Sequence, residues 1–230
     1  MGGLGELILA ALLFVGGHFV ASAGPVRGPL VAKMGERAFS GLYSLLAAVL
    51  LGWMIWAYGR APVVPLWTPA AWMYWLPAIF MVPATLLAVA AVSQDNPTAV
   101  MQHVRAGDRP APGILAITRH PLMWGIGLWA LAHIPPNGTA GDLVFFGSFA
   151  LLAFGGTLAI DAKKRRQWGA AEWERFSRQT SDLPFAAIVA GRARLRVGEI
   201  GGLRILGAAT LYVLLVFGHP WIAGVPAVAP

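Results

Sequence analysis

The chain has 230 residues and a mass of 24.4 kDa; 57% of its residues are hydrophobic, 12% are charged, and its mean hydropathy is +0.66. Roughly a quarter of a soluble domain's residues are charged, so half that share points to a lipid environment and excludes disorder. With no cysteine, disulfides, thiolate metal sites, CxxCH haem attachment, cysteine nucleophiles and the usual iron–sulfur clusters are excluded as well.

Long continuous apolar runs, in place of short alternating ones, speak against an outer-membrane barrel. They fall at about Leu4–Ala23, Phe39–Tyr58, Ala71–Val92, Pro121–Pro135, Leu143–Ile160 and Gly202–Val225. The fourth is short unless Ala111–Thr118 contributes to it. Ala21-Ser22-Ala23 resembles a signal cleavage site, but no basic segment precedes the first run and that run is too long, so it reads as a mature helix. Of the 17 Lys and Arg residues, all but Arg60 fall in one set of alternate compartments. The positive-inside rule then gives six transmembrane helices with both termini on the non-cytoplasmic side. The expected fold class is an all-α polytopic membrane protein, with 1–230 as a single domain. The net charge of +7 and pI near 10.6 are explained by this topology, so no nucleic-acid partner is expected.

The longest polar segment, Asp161 to Gly201, is expected at the cytoplasmic surface. Its opening, Asp161-Ala-Lys-Lys-Arg-Arg, reads as a basic helix leaving the bilayer, with Trp168, Trp173 and Phe176 at headgroup level. Asp182-Leu-Pro-Phe185 is expected to end that helix, because proline disfavours helix in the residue before it.

Ionisable groups inside a membrane are functional candidates, since an unpaired one costs several kcal/mol there. The spans hold almost no acids, so the histidines stand out: His18, His120, His133 and His219 lie in or at the ends of spans, and His103 lies in a polar loop. Neutral imidazole ligates iron, zinc or copper, and two of them from facing helices can hold haem b without cysteine. His120 and His133, 13 residues apart, differ by about 20 Å of rise and about 220° of rotation on one helix, so they cannot serve one metal. Trp129 and Gly125 share the face of His133, an aromatic wall and a gap for a flat ligand. Gly16 and Gly17 before His18 permit close approach of a helix or a macrocycle. In depth, His133 with His219 matches better than His18 with His133. Arg119-His120-Pro121 opens the fourth span, where a cationic pair could bind a phosphate, a carboxylate or a haem propionate. Asn137-Gly138 after Pro135-Pro136 is a turn signal.

Together, Gly16-Gly-His18, Arg27, the run from Gly35-Glu-Arg37 to Leu42-Tyr43-Ser44, Gly113 to Pro121, Leu128 to His133 with Asn137-Gly138, Thr180 to Phe185, and His219 resemble the NnrU family over essentially the whole chain. The resemblance implies a multi-pass bacterial inner-membrane protein associated with denitrification, needed for nitrite and nitric oxide reductase function. That family is similar to the plant and cyanobacterial 15-cis-zeta-carotene isomerases, haem b membrane proteins with two histidine ligands to iron. By motif matching those ligands fall on His18 and His133, with His219 the alternative and Arg119 or His120 serving the propionates or the cytoplasmic entrance. The implied ligands are haem b, membrane lipid and a lipophilic polyene, and the implied reaction is cis–trans isomerisation. No cysteine is available as an alternative iron ligand. Arg119-His-Pro121 with Asp161, Gly169, Trp173 and Phe176 also resembles the isoprenylcysteine carboxyl methyltransferases and phospholipid methyltransferases, which implies an S-adenosylmethionine site as the alternative function. A third alternative is a non-enzymatic assembly or sensory factor whose histidines only pack.

Overall fold

A computed structural model describes residues 3–99 and 113–228; His103, Arg105 and Arg109 lie outside the described residues. The described residues form helices and loops without a strand: α1 (Leu4–Ser22), α2 (Gly24–Met34), α3 (Glu36–Gly59), α4 (Trp75–Ser93), α5 (Ile114–Ile117), α6 (Pro121–Asn137), α7 (Ala140–Trp168), α8 (Ala170–Arg178), α9 (Ala186–Val189), α10 (Val197–Ile200) and α11 (Gly202–Ala223). A 3₁₀ turn, Ala71–Tyr74, leads into α4. The protein is an all-α polytopic membrane protein.

Among the described residues, five segments are long and apolar enough to cross a bilayer: α1, α3, α4 with its 3₁₀ lead-in, α7 and α11. The sixth expected span, α6, has 17 residues, at the lower limit of spanning length. Ala111–Thr118 does not extend it. Within that stretch α5 is a separate four-residue turn, and Thr118 is extended. One further boundary differs from expectation, and two others agree with it. The linker Gly24–Met34 is itself a helix, started by Pro25 at its first turn, where a missing N–H costs nothing. The basic segment after Ile160 is the continuous end of α7, which runs on to Trp168. Pro135 and Pro136 lie inside the last turn of α6, and Gly138 beyond them takes φ +76°, the left-handed stop.

The helices pack as a row in the order α3, α1, α7, α6, α4, α11, with α2 bridging α1 and α3. In lipid no hydrophobic drive holds helices together, so close approach depends on small residues. A Cβ on Gly125 would lie 2.9 Å from the Ala84 carbonyl oxygen, which fixes the α6–α4 crossing; on Gly127 it would lie 2.5 Å from the Phe154 ring, and on Gly155 2.7 Å from the Phe19 ring. The larger core, built from Leu7, Ala10, Phe14, Met54, Ala130, Phe145 and Phe146, joins α1, α3, α6 and α7. A second one, Leu87, Ala90, Ile114, Leu115, Ile117 and Ile200, seats α5 and α10 against α4.

At one end of the row, α6 and α7 meet at the Gly138-Thr139 turn. Thr139 caps α7 in a capping box: its hydroxyl accepts from Asp142 N–H at 3.2 Å, and Asp142 Oδ2 accepts from Thr139 N–H at 3.1 Å. Asp142 also accepts from the Tyr58 hydroxyl at 2.5 Å, tying α3 to α7. The 60–70 loop lies over this turn, with Leu66 N–H donating to Gly138 O at 2.8 Å and Trp67 Nε1–H to Pro135 O at 2.9 Å. The other end carries the α2 and α7 cations and is called the basic end below.

Candidate functional site

At the basic end, the start of α6 is locked to α7. Arg119 Nε–H donates to both Asp161 oxygens at 2.9 and 3.0 Å, with a further close contact from its terminal nitrogen. His120 Nε2–H donates to Asp161 Oδ1 at 2.7 Å. His120 is 2% exposed, and the carboxylate compensates both neighbours in a place where unpaired charge would be costly. The Arg119 guanidinium also lies 5.5 Å over the Trp173 ring. Trp168, Trp173 and Phe176 pack on one another with ring centroids 5.5–6.2 Å apart, and Phe176 is buried. The three expected headgroup anchors therefore also fasten α8 to the helix row. Arg119 and His120, expected at propionates or at an entrance, both donate to Asp161. The polar groups that a methyltransferase site would need are likewise paired with one another.

Behind this triad is a second polar group that the sequence did not reveal. Asp182 accepts from Trp124 Nε1–H at 3.1 Å and from the Thr157 hydroxyl at 2.9 Å. The Thr118 hydroxyl donates to Asp182 O at 2.6 Å, and Thr98 to Arg119 O at 2.5 Å. Asp182-Leu-Pro-Phe185 does not end the basic helix as expected: that helix stops at Trp168 before Gly169 (φ +80°), and α8 stops at Arg178; the segment instead lies between α6 and α7, and Phe185 takes φ +66° to make the turn.

The three remaining histidines among the described residues share one preparation. Nδ1–H of His18 donates to Phe14 O, that of His133 to Trp129 O and that of His219 to Val225 O, each at 2.7 Å. A carbonyl only accepts, so each ring carries a proton on Nδ1; a neutral ring held this way presents its Nε2 lone pair, the tautomer that ligates metals. His133 and His219 are neighbours, with ring centroids 6.4 Å apart and planes 22° from parallel. His18 is elsewhere, in ring contact with Phe14 at 4.6 Å and Tyr43 at 5.6 Å. Phe14, Phe149 and Trp129, in successive contact at 5.7 and 5.0 Å, stand between it and His133. The structure brings His133 to His219 and does not bring it to His18. The gap expected at Gly125 is closed by the α4 backbone, whereas nothing lies within 4 Å of a Cβ on Gly16. Among the described residues, no cluster of three or more His, Asp or Glu side chains could hold a metal ion.

His18 lies on the wall of a cavity of about 630 Å³ between α1, α2, α3, α6 and α7. Phe14, Phe19, Phe39, Met123, Ile126, Phe149, Leu152 and Ile160 make it apolar; Tyr43 and His18 are polar groups inside it, and Arg27, Glu36, Lys163 and Arg166 line its basic end. Arg27 pairs with Glu36 and lies over the Phe39 ring at 5.5 Å.

Fold and site define a multi-pass helical membrane protein with an apolar cavity between its helices. More particularly, the chain belongs to the NnrU family, whose description, NnrU protein, matches residues 6–227. It is 31% identical over 211 residues, 83% of this chain, to the chloroplastic 15-cis-zeta-carotene isomerase of Arabidopsis thaliana. It is 36% identical over 148 residues, 61% of this chain, to the enzyme of the same name from Zea mays. The chain spans 53% and 37% of those two proteins' lengths. No solved structure matches it.

Proposed function

We propose that this protein is a membrane-embedded isomerase that takes a long lipophilic polyene into the cavity and changes the geometry of one of its double bonds, with haem b as cofactor. The observation that carries this reading is the cavity: about 630 Å³, within the size range of small-molecule sites, apolar with a few convergent polar groups. The relatives' names supply the class of substrate and reaction. Exclusion of water by the aromatic walls protects a conjugated chain from hydration and proton leakage.

His133 and His219 are the assigned iron ligands, because they are adjacent and both keep Nε2 available. Haem bound there supplies one-electron chemistry. Phe149 on the cavity wall contacts Trp129 at 5.0 Å, and Trp129 contacts His133 at 5.6 Å, so these rings connect the two places. His18 and Tyr43 then orient the polyene. The same redox-competent arrangement would serve a supporting role in nitrite and nitric oxide reduction.

The test is the visible spectrum of detergent-purified protein, oxidised and dithionite-reduced, together with chromatographic turnover of 15-cis-zeta-carotene. Parent, His18→Ala, His133→Ala and His219→Ala are compared. Expected are a Soret band with sharp reduced bands, altered by His133→Ala and His219→Ala, and a His18→Ala protein with the parent spectrum and reduced turnover. A colourless protein after reconstitution with haemin overturns the cofactor. A spectrum that responds to His18→Ala and ignores His219→Ala overturns the ligand pair, and a haem-loaded protein without turnover overturns the isomerase.

A further inference from the structure

We propose that the cavity selects a long-chain lipophile ending in an anionic group, a carboxylate or a phosphate, with that group held between Lys163 and Arg27. This inference rests on the cavity being the substrate site and adds to that reading a preference for an anionic head, while a neutral carotene still enters by its chain.

One observation is charge. Three cations, Arg27, Lys163 and Arg166, face the basic end of the cavity with one carboxylate, Glu36. Glu36 is taken by Arg27. Lys163 is half-buried and makes no hydrogen bond or ion pair among the described residues. Positive-inside topology explains why cations sit at this end, but a topological lysine extends its ammonium into water along an apolar stem. Lys163 lines the cavity wall within electrostatic reach of both Arg27 and Glu36, and the one carboxylate there is already hydrogen-bonded to Arg27, so two cations share a single anion in a partly buried place where charge is costly. A ligand anion would provide the missing partner.

The other observation is shape. The α7 residues on the wall, among them Phe149, Ala153, Gly156, Ile160 and Lys163, recur every three or four positions and form one stripe along the helix. From Phe149 to Lys163 this stripe rises about 21 Å at about 1.5 Å per residue. The floor is smooth at Ala153 and Gly156 and ends on the ammonium, which suits a chain lying lengthwise with its head at Lys163.

The test uses the full chain in non-ionic micelles, with cis-parinaric acid, a fluorescent conjugated tetraene carboxylate, and its uncharged methyl ester. Binding is read by energy transfer from tryptophan. The acid should bind roughly tenfold tighter than the ester, as a charge-assisted contact predicts. Lys163→Met should abolish that preference, and Glu36→Gln, which frees Arg27, should tighten the acid about threefold and leave the ester unchanged. The Glu36 variant predicts a gain, which misfolding cannot mimic. Palmitate and decyl phosphate as competitors show which head is preferred. Equal binding of acid and ester, an unaltered Lys163→Met protein, or displacement by inorganic phosphate alone would overturn the proposal. So would displacement by haemin with a Soret band sensitive to His18→Ala, which makes the cavity the haem site. Binding is measured without turnover, so acid preference without isomerisation refutes only the isomerase, and turnover of neutral carotene without acid preference refutes only the anionic head.

Discussion

Removing the Asp161 carboxylate should destabilise the protein more than most single substitutions in its membrane-facing helices. In Asp161→Ala, Arg119 loses its bidentate partner and His120 loses the acceptor 2.7 Å from Nε2. The side chains of Arg119, His120 and Asp161 are 13%, 1% and 16% exposed, so water cannot replace the carboxylate at His120 and replaces it poorly at Arg119. Breaking a buried pair from one side costs about 3–5 kcal/mol. The slight exposure and the retained Trp173 stacking place the expected loss near the lower end, ~3 kcal/mol. For a chain of this size that corresponds to a fall of about 6–12 °C in Tm. Thermal unfolding in one detergent, followed by tryptophan fluorescence, measures it. Arg119→Leu and the double variant complete a cycle, and a coupling energy of at least about 1.5 kcal/mol is expected between residues sharing one network. A Tm within about 2 °C of the parent, or a coupling near zero, would refute a structural role for the triad. Loss of S-adenosylmethionine binding at unchanged Tm would give the three residues to the methyltransferase alternative.

Gly125→Val should cost about 1–3 kcal/mol through overpacking against the Ala84 carbonyl, whereas Gly16→Ala, with open space around its Cβ, should leave the unfolding temperature at or above the parent's. Tyr58→Phe removes the 2.5 Å hydrogen bond to Asp142 and should lower stability by about 1–3 kcal/mol, read by the same thermal assay. Gly156→Leu places a side chain against Met123 on the cavity wall; lipophile binding should fall at least about tenfold while the Soret band is kept, and unchanged binding would remove the cavity from the substrate site.

What was legible in the sequence was whatever one helix carries by itself. Apolar run length gave the spans, and proline and glycine gave the Gly138 stop. The helix Gly24–Met34 escaped notice because two prolines and two glycines mask it. The depth argument favoured His133 with His219, which needs only position along each helix, and those two rings are adjacent. Pairings that depend on which helices are neighbours were not readable. Arg119 and Asp161 are 42 residues apart, and no local period announces their contact. Gly125 gave the same sequence signal whether it opened a slot or admitted the α4 backbone, and the row order decided for the backbone. The cavity was hidden for that reason too, since Arg27, Tyr43 and Lys163 become one wall only when α2, α3 and α7 meet.

The order of helices in the row has a consequence in time. Synthesis delivers the N-terminal segments first, so α1 and α3 can pair as soon as residue 59 has emerged. The neighbour that closes the other side of α1 is α7, which begins only at Ala140. Between those events His18 can already meet Tyr43 of α3, but the Phe14 face that packs on Phe149 of α7 still lacks that partner. The α7 wall of the cavity, from Phe149 to Lys163, is therefore the last to arrive, closing onto a face that α1, α2 and α3 have already made.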